Sequence, residues 1–135
     1  EMADAVATQI IIDGDRNVVQ KFTNVSDGTG ESAVVKVDVS ALAANSRGSA
    51  CTGVVIEEIW WQCIGMKVQI LWNATTNVFC IELGENQSGN HNYSTFGGLT
   101  NNAGSGVNGD VLFTTVGHTS ADTYTIILKM KKEYG

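Results

Sequence analysis

The segment DTYTIILKMK, residues 122–131, changes character at every second residue. In an extended strand, Tyr124, Ile126, Leu128 and Met130 fall on one face, and Thr125, Ile127, Lys129 and Lys131 fall on the other. A helix would scatter both sets around its circumference, so the pattern demands a strand that buries one side. The first set is expected in the core. MKVQILW, residues 66–72, obeys the same rule, with Met66, Val68, Ile70 and Trp72 on one side and Lys67, Gln69 and Leu71 on the other.

Once these two segments are fixed as strands, the rest of the chain reads the same way. Further β-prone runs occupy 6–12, 17–25, 32–39, 53–63, 77–83 and 111–116, with a weaker one at 91–95. Between them lie clusters such as DGD (13–15), SDGTG (26–30) and NATTN (73–77), whose residues accept positive φ or close a turn with a side chain. Only 40–50 could hold a helical turn. Eight or nine short strands joined by tight turns predict an all-β protein, an antiparallel two-sheet β-sandwich of jelly-roll or Ig-like type. The 135 residues suffice for one such domain, 1–135. There is no proline, a common guard of edge strands, so bulges, charged residues or neighbouring subunits must protect the sheet margins.

A formal charge of −6 would repel a phosphate backbone, so nucleic acid is not an expected partner. No run approaches the roughly 20 apolar residues that span a bilayer, and the N-terminus lacks the basic and apolar segments of a signal peptide, so no membrane partner is expected. Cys51, Cys63 and Cys80 are odd in number and lack C-x-x-C spacing. They read as free thiols, with a Cys51–Cys63 or Cys63–Cys80 disulfide as the alternative.

Several short motifs suggest chemistry and lose it in context. GSGVNG (104–109) matches the dinucleotide fingerprint G-x-G-x-x-G, but a strand pattern follows where the fingerprint needs a helix. DGDRN places Asp13, Asp15 and Asn17 as in a calcium loop, yet Val18 stands where glycine is required and Asn24 where glutamate is required. A hairpin turn is the better reading, with a calcium shared with Asp27 or Asp38 as its rival. His91 and His118 lack metal-ligand spacing, and His118, Ser120 and Asp122 lie too close in sequence for a catalytic triad. No enzyme activity and no cofactor are expected. Trp60 and Trp61 are adjacent in a strand and must point to opposite faces, so one can join the core while the other meets solvent, a ligand or a subunit.

The segments MADAV, KFTNVSDGTGE, VVKVDVSAL, LWNATT and FGGLTNNAGSGVNGDVLFTTVGHTSADTYTIILK, taken in order, resemble a family of small virion structural proteins of tailed bacteriophages. The resemblance spans nearly the whole chain; residues 45–53 and ELGENQSGNHNYS depart from it. It implies a virion component and no catalytic residues. An acidic protein is poorly suited to line a DNA-filled interior. The expectation is therefore a decoration, or cement, protein on the outer capsid surface, made in the host cytoplasm. Its partners would be the major capsid protein and copies of itself, as trimers or dimers. Candidate contact residues are Trp60, Trp61, Phe96, Asn101, Asn102, Val107 and Asn108. The alternatives are a neck, tail or fibre-associated virion protein, and a carbohydrate-binding module using exposed coplanar aromatics.

Overall fold

A computed structural model describes residues 5–134. The strands are β1 (Ala5–Asp13), β2 (Asn17–Asp27), β3 (Val34–Val37), β4 (Cys51–Ile64), β5 (Lys67–Trp72), β6 (Val78–Leu83), β7 (Ser88–Asn92), β8 (Val111–Val116) and β9 (Ser120–Tyr134). One sheet runs β1-β2-β9-β4-β7 and the other β3-β8-β5-β6, with every pairing antiparallel. From β2 onward, the chain winds between two four-stranded sheets in the order that defines a jelly roll rather than an Ig-like sandwich. β1 is an addition, hairpinned onto β2 through a turn closed by the Gly14 amide donating to the Asn17 carbonyl at 2.9 Å. The DGDRN motif is thus a hairpin turn.

The alternation read from the sequence sets the core. Tyr124, Ile126, Leu128 and Met130 of β9 face Met66, Val68, Ile70 and Trp72 across the sandwich, all at most 1% exposed. Phe22 and Phe113 meet edge to face at 5.2 Å, and Phe113 meets Tyr124 in the same way at 5.9 Å, tying the two sheets together. The three cysteines are free; Cys51 and Cys63 are buried and Cys80 is half-buried. Burial raises the thiol pKa of Cys63 to about 11 and of Cys80 to about 12, so both remain protonated at neutral pH.

The strand read at 32–39 shortens to Val34–Val37 because Ala33 takes a positive φ of 50° and Asp38 caps a 3-10 turn over Val39–Ala41. The helical turn expected in 40–50 therefore begins just before that segment. The weak strand at 91–95 lies earlier, at Ser88–Asn92, and Ser94–Phe96 form a second 3-10 turn.

Two buried ion pairs were invisible to the alternation. Glu31 takes a hydrogen bond from the Tyr124 hydroxyl at 2.6 Å and pairs with Lys36 at 2.5 Å, with both charged side chains 6% exposed. At the opposite end of β9, Lys132 points inward with a fully buried side chain, bonded to the Asp13 carboxylate and, at 3.1 Å, to the Ala43 carbonyl. Burial alone would raise the Asp13 carboxyl, but the Lys132 hydrogen bond, the Ala43 amide and the ammonium charge together hold it below its usual value.

Candidate assembly surface

Among the described residues, no second layer of strands covers the outer face of the five-stranded sheet. Strand register places Gln9, Lys21, Ile127, Trp60 and Asn90 in one row across β1, β2, β9, β4 and β7. The neighbouring row carries Val19, Lys129, Glu58 and Asn92. Trp60 is 38% exposed, and Asn90 beside it donates to Glu58 at 2.8 Å. At the end of this face, Arg16, Arg47 and Lys131 line a recess with Asp15 and Tyr134. Arg16, Lys21, Arg47, Lys129 and Lys131, five of the eight basic residues, outnumber the acids Asp15, Glu58 and Glu133 there, so this face and its rim are weakly basic in a chain of net charge −6. An exposed Trp ring beside Ile127, with lysines elsewhere on the same face, suits protein docking, because Trp anchors such interfaces while charges orient the encounter.

Trp61 turns the other way. It lies over Gly89, is half-buried against the core, and stacks on His91 with centroids 4.8 Å apart. The ring contacts continue through Tyr93 at 6.0 Å to Phe96 at 6.1 Å, forming an aromatic file along the β7 margin that ends in the 68% exposed Phe96. Successive rings are tilted by 33°, 38° and 56°, so none is parallel to the next.

The loop residues belong to a third place. The loop is anchored to the sandwich: Leu99 exchanges backbone hydrogen bonds with Ile56 at 2.7 and 3.1 Å, and the Thr75 amide donates to the Ser105 carbonyl at 3.0 Å. Gly109, at φ +87°, lies so close that a Cβ would fall 2.2 Å from the Thr52 carbonyl oxygen, which no other residue could tolerate. GSGVNG is thus a strap over the sandwich, followed by a strand and by no helix. Asn101 caps the Ala103 amide at 2.8 Å, and Asn108 accepts from Asn73 at 3.0 Å and from the Asp110 amide at 3.1 Å. Both asparagines build the loop, whereas Val107, 47% exposed, and Asn102 stand out to solvent. Asn101, Val107 and Asn108 line one shallow recess with Val39 and Thr52, while Asn102 lines another with Phe79 and Cys80. The seven candidates therefore divide among an open sheet face, an aromatic margin and a loop.

Asp110 closes this loop and is nearly buried. Burial raises its pKa, the Val39 amide opposes that rise, Asp38 nearby adds to it, and the Asn108 amide opposes it again. An acid whose folded pKa is raised weakens the fold when ionised, and this penalty disappears as pH falls below the unfolded value near 3.8. Asp110→Asn is accordingly expected to melt higher than the parent at pH 7. Thermal melts from pH 7 to pH 3 should show that advantage shrinking as the pH falls.

The other motifs resolve into structure. Asp38 accepts from the Ser40 amide at 3.0 Å, Asp27 accepts from the Thr29 amide at 2.9 Å, and Asp13 is held by Lys132, so these three carboxylates serve turns and an ion pair. Among the described residues, no three His, Cys, Asp or Glu gather as metal ligands would. In the turn before β9, Asp122 accepts from the amide and hydroxyl of Thr119 at 2.7 and 3.0 Å, and His118 Nδ1 meets the Thr115 hydroxyl at 3.1 Å.

Sequence reasoning overlooked β1 as a surface, although the uncharged run AVATQIII could have revealed it. Val6, Ile10, Ile11 and Ile12 are each about half exposed. Comparison with protein-family models and with curated proteins returned no match.

Proposed function

We propose that this protein is a capsid decoration protein, binding the outer surface of an assembled phage capsid lattice through the open face of its five-stranded sheet. The observation that carries the reading is the row Lys21, Ile127 and Trp60, an exposed Trp and an apolar neighbour with a lysine further along, on the open face of a chain that is acidic overall. The sequence resemblance to virion structural proteins supplies the lattice. Jelly rolls serve capsids and lectins alike, so the fold by itself does not choose between them. The mechanism is mass action: copies that bind the mature lattice and not its precursor stabilise the state they bind, in proportion to that difference in affinity.

A sugar-binding reading has the aromatic file and its neighbours Asn90 and Asn92 in its favour, but the mutual tilt of the rings makes a poor flat platform. Cryo-electron microscopy of the parent particle tests both. Density repeated over the whole outer shell, with occupancy lowered by Trp60→Asp at unchanged melting temperature, is the expected result. A few copies at a vertex or tail would move the protein to the neck or tail. Absence from the particle would sink the virion reading and turn attention to glycan binding at Tyr93 and Phe96.

A further inference from the structure

We infer that β1 is a dimerisation strand, pairing antiparallel with β1 of a second copy to join two five-stranded sheets into one of ten. A sheet margin exposes unpaired amides and carbonyls, and proteins guard such margins by shortness, charge, bulges or cover. Three of the four margins here are guarded throughout, whereas the bulge of β1 lies towards one end and leaves residues 5–10 regular and open. β3 is four residues long and carries Lys36, β6 is bulged and carries Glu82, and β7 is five polar residues including Gly89. β1 has nine residues, none of them charged before Asp13, and among the described residues only β2 pairs with it.

β1 also lacks cover on its inward side. The facing sheet has one strand fewer, and so Val6 and Ile10, which register places on the core-facing side with Asn24 and Gln20, remain 50% and 48% exposed. A second copy is the occupant that the charge pattern favours. Two molecules of net charge −6 repel each other on average, and β1 is a long stretch along which two identical copies can meet without opposing like charges. β1 supplies that stretch together with open backbone hydrogen-bonding groups.

The bulge between Ile10 and Ile12 limits the regular part of β1 to residues 5–10. Within it, a two-fold axis through Thr8 sets Val6 opposite Ile10 of the second copy and keeps like faces together. Such a contact is isologous, so it closes as a dimer and cannot generate a three-fold cluster. A strand margin with these side chains falls at the small end of specific interfaces, below about 1,200 Å² in total, so association should be concentration-dependent. Neighbouring sites on a lattice would strengthen it by raising the effective concentration.

The test uses the purified full chain without any capsid, so its outcome is separate from that of the docking proposal. Sedimentation equilibrium should show a monomer–dimer equilibrium that Thr8→Lys abolishes, because two ammonium groups would meet at the axis, while the melting temperature of the dilute protein is unchanged. Thr8→Cys should form a covalent dimer under mild oxidation, and the parent, whose cysteines are buried or half-buried, should not. A protein that stays monomeric at millimolar concentration without the Thr8→Cys cross-link overturns the proposal. So does a trimer, or a dimer that survives Thr8→Lys.

Discussion

Leu128→Asp is expected to abolish folding. Leu128 is fully buried in β9, the central strand of the larger sheet, with Gln20 of β2 on one side and Ile59 of β4 on the other. A carboxylate there would have no water and no cation, and its burial would cost several kcal/mol on top of the lost packing. Small domains have only about 5–15 kcal/mol of stability in total. Leu128→Met, which conserves volume, should lose less than about 1.5 kcal/mol and serves as the control. Circular dichroism and soluble yield decide the matter: an Asp variant that melts like the parent would remove Leu128 from the core.

The ion pair at the other end of β9 should respond asymmetrically to mutation. Asp13→Ala leaves the Lys132 ammonium fully buried with only the Ala43 carbonyl, and breaking such a pair costs about 3–5 kcal/mol. Lys132→Met leaves an Asp13 side chain that is 20% exposed and can hydrate, so its loss should be much smaller. The pH dependence follows from the depressed Asp13 pKa. The pair stabilises fully above the unfolded value near 3.8 and loses this contribution as pH falls through the lower folded value. Urea titrations of the parent and Asp13→Ala should therefore differ most near neutrality and converge in strong acid. Equal losses for Asp13→Ala and Lys132→Met would show that the buried ammonium is not the costly partner.

What could be read from the sequence was whatever rests on a period of two. The faces of β5 and β9, the opposed tryptophans and the hairpin at DGDRN all follow from alternation and turn chemistry, and the structure places them accordingly. Lys132 breaks the rule because its partner, Asp13, is remote in sequence and meets it only once β1 and β9 flank β2. Strand order was illegible for the same reason, since tight turns fix only neighbours in the chain. The candidate site was legible in part. Trp60 stands exposed as a lone outward Trp should, but the side-chain oxygens of Asn101 and Asn108 accept hydrogen bonds that brace their own loop, a use of asparagine that composition does not distinguish from binding. The basic outer face emerged only from register, which gathers Lys21 and Lys129 from strands far apart in sequence.

The position of β9 bears on how the protein is made. It follows every other strand in sequence, yet it fills the gap between β2 and β4. While the ribosome is still translating it, both of those strands carry open margins and neither has its central partner. The larger sheet therefore closes only after synthesis has passed Tyr134, and until then the strands already made cannot complete their fold. Fragments lacking β9 would carry two unmatched sheet margins and should aggregate, so a break within this strand would be as damaging to yield as one near the start of the fold.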